Sequence, residues 1–163
     1  MNPTESAESS GEKLVVVSVG RHSRLGDILE YALADTAFET VDCDAFLRGS
    51  WGNRKLLFTI STEETSDCTP LQTLIAALHR KESFLEGCVC AAIVDGALGG
   101  LAHLGTISLL LAANRSGAIV LSRPLIECDR ELRFFSGGKD SPFERVRTQT
   151  RVLIERLQAA VTN

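Results

Sequence analysis

Residues 87–124 read GCVCAAIVDGALGGLAHLGTISLLLAANRSGAIVLSRP. The run Val89-Cys90-Ala91-Ala92-Ile93-Val94 is apolar throughout and stops at Asp95-Gly96. A Gly-rich turn follows, Ala97-Leu98-Gly99-Gly100, and Leu104, Ile107, Leu110 and Leu111 then recur at helical spacing up to Asn114-Arg115-Ser116-Gly117. A second apolar run, Ala118-Ile119-Val120-Leu121, comes next. Unbroken apolar runs are expected of strands covered on both faces, because alternation arises only where one face meets water. Two such runs joined by one helix-length segment make a βαβ unit and imply parallel strands. In open parallel sheets ligands bind beyond the carboxyl ends of the strands, and the glycines after Val94 stand at such an end.

The same pattern extends upstream. Leu14-Val15-Val16-Val17-Ser18-Val19 predicts a central first strand, followed by Gly20-Arg21-His22-Ser23 and a helix with Ile28, Leu29, Ala32 and Leu33 as its apolar stripe. Ser23 is placed to cap that helix, and Asp27 suits its first turn. Phe38 to Cys43 alternates apolar with polar, as an exposed edge strand does. Ala45 to Arg54 reads as a connection that has room for a short helical turn and carries Gly49, Gly52 and the only tryptophan, Trp51. Lys55 to Ser61 is a third strand, Thr62 to Thr69 a polar loop, and Leu71, Leu74, Ile75 and Leu78 mark a helix opened by Pro70, whose missing N–H costs nothing there. Ser141-Pro142 opens a last helix with Val146, Val152, Leu153 and Leu157 inward and Arg145, Arg147, Arg151 and Arg156 on a solvated face. Five strands alternating with about five helices specify a three-layer α/β domain. Right-handed crossovers and the polar second strand favour a five-stranded parallel sheet of order 2-1-3-4-5, the flavodoxin-like fold.

Composition narrows the partners. A chain of 163 residues suffices for one core, so residues 13–163 are expected to form a single domain behind a polar leader, residues 1–12, that lacks apolar periodicity and reads as disordered. The net charge of -4 argues against nucleic acid or an anionic membrane as the main partner. No apolar run reaches membrane-spanning length, and residues 1–12 are acidic and Ser-rich where a signal peptide would be basic and then apolar, so a cytoplasmic protein is expected. Five cysteines without a C-x-x-C pair (Cys43, Cys68, Cys88, Cys90, Cys128) read as structural thiols.

With that strand order, three segments converge over the carboxyl edge: Ser18 to Arg24, Ser61 to Thr69, and Asp95 to His103. The first brings Ser18, Arg21, His22, Ser23 and Arg24 to a helix N-terminus, where outward N–H groups and the helix dipole favour a phosphate. The same residues also suit a capped helix with solvent-facing arginines. Gly96, Gly99 and Gly100 allow close backbone approach to a flat ligand, although turn geometry alone selects glycine too. Neither the G-x-G-x-x-G fingerprint nor a P-loop is present, which undercuts a ribose-reading role for Asp42 or Asp44. No nucleophile elbow occurs, and His22, His79 and His103 are too scattered to suggest a metal site with carboxylates; His22 and His103 do fall on two of the converging segments, where an imidazole could contact a phosphate or a ring edge.

These residues together resemble the flavodoxin-like NAD(P)H-dependent FMN reductases, over roughly Leu14 to Leu157. Ser61-Thr62-Glu63-Glu64-Thr65 before Pro70-Leu71 is similar to that family's T-P-E-Y-N loop, Gly99-Gly100 to its Gly-rich loop after strand four, and Arg123-Pro124-Leu125-Ile126-Glu127 to its R-P-L-V-E run. The resemblance implies FMN as cofactor and NAD(P)H as co-substrate in a flavoprotein oxidoreductase that passes hydride to a small-molecule acceptor such as a quinone or flavin. It implies Ser18, Arg21, Ser23 and Arg24 at the phosphate, Thr62, Glu63 and Glu64 at the ribityl chain or ring edge, and Gly96, Gly99 and Gly100 at the ring. It also implies a homodimer, through an exposed Trp51 or the helix after strand four. Two departures, a short first loop and Glu64 where an aromatic would stack on the flavin, keep open a flavin-free binding or regulatory module of the same fold. A site for a nucleotide or other phosphorylated metabolite at the first helix is a third reading.

Overall fold

A computed structural model describes residues 13–20, 24–61, 68–95, 101–128 and 142–161. Its strands are β1 (Leu14–Val19), β2 (Phe38–Asp42), β3 (Lys55–Ser61), β4 (Val89–Asp95) and β5 (Ile119–Glu127). Its helices are α1 (Arg24–Ala32), α2 (Cys43–Arg48), α3 (Thr69–Leu78), α4 (Leu101–Arg115) and α5 (Pro142–Ala159). All four strand pairings are parallel and the sheet order is β2-β1-β3-β4-β5, as the alternation of runs requires.

The unbroken apolar runs of β1, β3 and β4 supply both cores, because successive side chains of a strand point to opposite faces. Val15, Val17, Val19, Leu56, Phe58, Ile60, Cys90 and Val94 face α2, α3 and α4, against Phe46, Leu71, Leu74, Leu109 and Leu110. Leu14, Val16, Leu57, Val89, Ala91 and Ile93 face α1 and α5, against Leu25, Ile28, Val146, Leu153 and Leu157. β2 is exposed except at Val41, which is partly buried against the core, and this fits an edge.

Several expectations need correction. The run that becomes β5 is not covered on both faces: at the edge that the expected strand order gives it, its residues are exposed or partly buried. Its pairing with β4 jumps from Val120–Cys90 to Leu125–Ala92, so Leu121 to Pro124 bulge, with Arg123 at φ 52° and Arg156 donating to the Ser122 carbonyl and, at 2.9 Å, to its Oγ. A bulge of this kind spoils an edge as a template for unwanted pairing. Trp51 is not exposed. It is buried, its ring stacks on Phe46 at 5.4 Å, and its indole N–H donates to the Phe46 carbonyl at 2.7 Å. The connection before it holds a true helix, α2, that begins at Cys43. Val152 on α5 points outward, while Val146, Leu153, Ile154 and Leu157 fill the core. On α4 the Leu104, Ile107, Leu110, Leu111 spacing marks a helix correctly, but of the four only Leu110 is buried.

Candidate functional site

β1 feeds α1 on one face of the sheet, and its neighbour β3 feeds α3 on the other. Where adjacent strands send their chains in opposite directions a crevice opens at their carboxyl ends. The registers put the strand ends that lead into the three expected segments at one rim: Val19 lies beside Ile60, and Ser61 beside Asp95. Arg21, His22, Ser23, Thr62, Glu63, Glu64, Gly96, Gly99 and Gly100 lie outside the described residues, as does the side chain of Arg24, which opens α1. Ser18 lies on β1, partly buried, one residue before the strand ends.

Three described residues shape the crevice. Gly20 follows β1 at φ +90°, and a Cβ there would overlap the Ser61 carbonyl oxygen, so the chain leaving β1 presses backbone to backbone on the end of β3. Only glycine meets both demands. Ser61, 5% exposed, carries a buried Oγ without a hydrogen-bond partner, which is costly for a native polar atom unless a ligand or water completes it. Its register partner Asp95 is fully buried at the rim. Strand alternation from Leu57 and Ala91 turns Ser61 and Asp95 toward the face of α1 and α5.

On the other side a cleft of about 500 Å³ runs over the ends of β1 and β2, lined by Ser18, Gly20, Asp42, Asp44, Thr69 and Thr73 among others. Asp42 caps α2, its Oδ1 accepting the Ala45 N–H at 2.7 Å, so this carboxylate has a structural task. Cys43 donates from Sγ to the Ser18 carbonyl at 3.6 Å. Burial pushes its thiol up to about 11, and the carboxylates of Asp42 and Asp44 add to the rise. A thiol held protonated in this way is a poor nucleophile. The described lining of the cleft holds two carboxylates and no cation.

Sequence reading missed one pair. His103 Nδ1, in the first turn of α4, stands 3.0 Å from Glu127 Oε1 at the end of β5, and His103 Nε2 is buried without a partner. Twenty-four positions separate the two residues, and only the parallel β4–α4–β5 path joins them. No group of three or more His, Cys, Asp or Glu residues suited to a metal ion occurs among the described residues. None of the described helices is long and apolar enough to cross a membrane.

No protein-family model matches the chain, and no curated protein matches it. Solved structures do. The flavodoxin of Streptococcus pneumoniae TIGR4 is 12% identical, covering 88% of this chain and 98% of its own, with a TM-score of 0.54. Flavodoxin 2 from Bacillus cereus is 11% identical over 88% of this chain and 99% of its own, with a TM-score of 0.56. A Fusobacterium nucleatum flavodoxin bound to flavin mononucleotide is 10% identical over 88% and 96%, also at 0.56. At such identities the likeness is one of architecture, and with the observed strand order it establishes that the chain has the flavodoxin-like fold.

Proposed function

We propose that the chain binds FMN over the β1–β3 crevice and acts as an oxidoreductase, passing hydride from NAD(P)H by way of the flavin to a quinone, flavin or similar acceptor. The observation that carries the binding step is the buried, unpartnered Ser61 Oγ beside Gly20 at the switch point of the sheet. A hydroxyl there is satisfied by a polar ligand lying on the rim. When bound, FMN supplies the redox chemistry, and the protein supplies position and electrostatics. Ser18 and Ser61 would offer hydroxyls. The backbones of β1 and β3 press together at Gly20, where no side chain stands between them and a ligand would meet backbone. Asp42 and Asp44 oppose an anion, so capture of a phosphate would fall to the arginines next to β1, Arg21 and Arg24, by charge-assisted hydrogen bonds.

Titrating FMN while following the quenching of its fluorescence tests this reading. Saturable binding is expected. Arg21→Ala and Arg24→Ala should each weaken it by about 10- to 100-fold, the equivalent of one charged hydrogen bond. Absence of binding at millimolar FMN defeats the reading. Binding without oxidation of NADH or NADPH keeps the cofactor and removes the reductase step. The carboxylates at the rim favour a second reading, a flavin-free module of the same fold, and that outcome is the colourless protein whose FMN titration stays flat.

A further inference from the structure

We propose that the free edge of β2, with the groove between it and α1, is a docking site for an extended basic segment of another protein, which adds to the sheet as a sixth strand. The inference is independent of the cofactor reading. It starts from an unequal treatment of the two edges. β5 is spoiled for pairing by its bulge, by Arg123 at positive φ and by Pro124. β2 runs Phe38-Glu39-Thr40-Val41-Asp42 in unbroken register with β1, without proline, glycine or bulge, and no described strand pairs with its other side. About half of its backbone N–H and C=O groups therefore point outward, a template for one more strand.

The surroundings of that edge suit a strand with particular side chains. An added strand sends its side chains alternately to the two faces of the sheet. On the face of α1 a groove of about 290 Å³ opens beside Phe38 and Thr40, walled by Leu29 and Leu33. Phe38 is 44% exposed there, and a Cβ at Gly26 of α1 would meet nothing within 4 Å, so the helix stands off from the edge strand. Glu30 lines the same groove. An apolar wall next to a carboxylate fits Lys or Arg, whose stem is buried while the charged head stays in water. Strand alternation puts Glu39 on the opposite face, with Val41, so each face of an added strand meets one apolar wall and one carboxylate.

Charge selects the occupant. From Gly26 to Leu47 stand Asp27, Glu30, Asp35, Glu39, Asp42 and Asp44 with no Lys, Arg or His, although the whole chain carries 17 Lys and Arg against 21 acidic residues. Asp42 caps α2 and Asp35 meets Arg151 at 3.4 Å, whereas Glu30 and Glu39 are exposed and form no ion pair among the described residues. A second copy does not suit this edge, because two-fold pairing of β2 with β2 sets Glu39 and Asp42 among their own counterparts, and like charges across paired strands repel. Nucleic acid and anionic lipid are repelled in the same way. The carboxylates that keep copies apart admit a basic strand, so one device both excludes and selects. Main-chain bonds to β2 supply affinity, and the groove with its two carboxylates supplies the preference for basic side chains.

The probe is a fluorescein-labelled eight-residue peptide of alternating arginine and valine, titrated with the full chain and followed by anisotropy. Saturable binding below about 1 mM is expected, at least about fivefold tighter than that of a peptide with its arginines and valines in two blocks, which has the same charge and no two-faced pattern. Glu30→Lys together with Glu39→Lys should weaken binding by about 10-fold or more. Glu82→Lys together with Glu86→Lys, an equal change of charge at exposed sites in the turn before β4, should weaken it by less than about twofold. Absence of saturation overturns the proposal. Equal binding of the block peptide, or equal loss in the two double variants, reduces the effect to attraction between net charges and overturns it too. Should the β2 double variant not fold, amide exchange of the wild type decides: peptide-induced protection of Phe38 to Asp42 supports the docking site, and protection elsewhere or none overturns it. Protection of β2 that grows with protein concentration in the absence of peptide assigns the edge to a second copy instead.

Discussion

Cys90 shows how much one buried side chain can decide. It lies fully buried on β4, and burial pushes its thiol up to about 12, with the neighbouring Cys88 adding to the rise. Burial also raises Cys88 and takes Cys43 to about 11. Each group is pinned in its protonated form by the fold, whereas in the unfolded chain it titrates near 9.0. The stability these thiols contribute is therefore complete below pH 9 and is lost as pH rises toward the folded values, because above pH 9 the unfolded state alone sheds protons. For reduced protein the melting temperature should fall between pH 9 and pH 11, and Cys90→Ala should flatten that fall while lowering the starting value by the small cavity it leaves. Equal pH slopes in the two proteins would show that Cys90 does not titrate as its burial requires. At this scale the sequence was partly legible. Ser18 and Gly20 could be assigned to the rim because they end an apolar run. Ser61, Asp95 and His103 could be assigned to it on the same ground, but the bare Oγ of Ser61, the full burial of Asp95 and the pairing of His103 with Glu127 could not be read, because burial and register single them out, and neither is a property of a residue's neighbours in the chain.

Among the elements, α2 and α4 mark what local pattern can and cannot tell. The helix α2 has six residues, too few to persist alone, since the cost of nucleation is recovered only over a dozen or more. It exists because Asp42 caps it and because Phe46, fully buried, stacks on Trp51 and meets Phe58 and Phe84 edge-on, each at 5.7 Å. Truncating Phe46→Ala should cost about 3–5 kcal/mol by denaturant titration. Because Trp51 is the only tryptophan and rests on that ring, the same variant should shift its emission to the red. A loss below about 1 kcal/mol with unchanged emission would mean that α2 is held by its cap and flanking strands. In sequence the segment offered room for a short helical turn, and the aromatic cluster is what makes it a helix that starts at Cys43. For α4 the failure is different in kind. Leucines on every side identify a helix without orienting it, and the side that meets the sheet is selected by small residues, Ala102, Thr106, Ala112 and Ala113, that let α4 approach. The stripe that looked most hydrophobic in sequence, Leu104, Ile107 and Leu111, is the one that stays exposed.

For the molecule as a whole, the sheet order ranks the stability of its parts. Continuous apolar runs could place β1, β3 and β4 inside and the alternating β2 outside before any coordinates, and the order 2-1-3-4-5 made β5 the other edge, although its apolar start alone gave no sign of how exposed it is. The inner three strands are paired on both sides and covered by helices on both faces, whereas β2 and β5 each have one neighbour. Opening an inner strand requires breaking both cores at once, which is nearly the same event as unfolding the domain, so its amides should exchange with solvent at the global free energy, typically about 5–15 kcal/mol. The amides of Val15 to Val17, Leu56 to Phe58 and Ala91 to Ile93 should therefore be the slowest and share one value. Those of Phe38 to Asp42, and of Leu121 to Arg123 in the β5 bulge, should exchange by local opening at least about 2 kcal/mol below it. Native-state exchange at several denaturant concentrations distinguishes the two classes, since global openings depend steeply on denaturant and local ones hardly at all. If β2 or the bulge were as protected as β1, the edges would be covered by something beyond this chain's described elements. If β1 exchanged as readily as β2, the rim that Gly20 and Ser61 share would be too mobile to hold a ligand in one position.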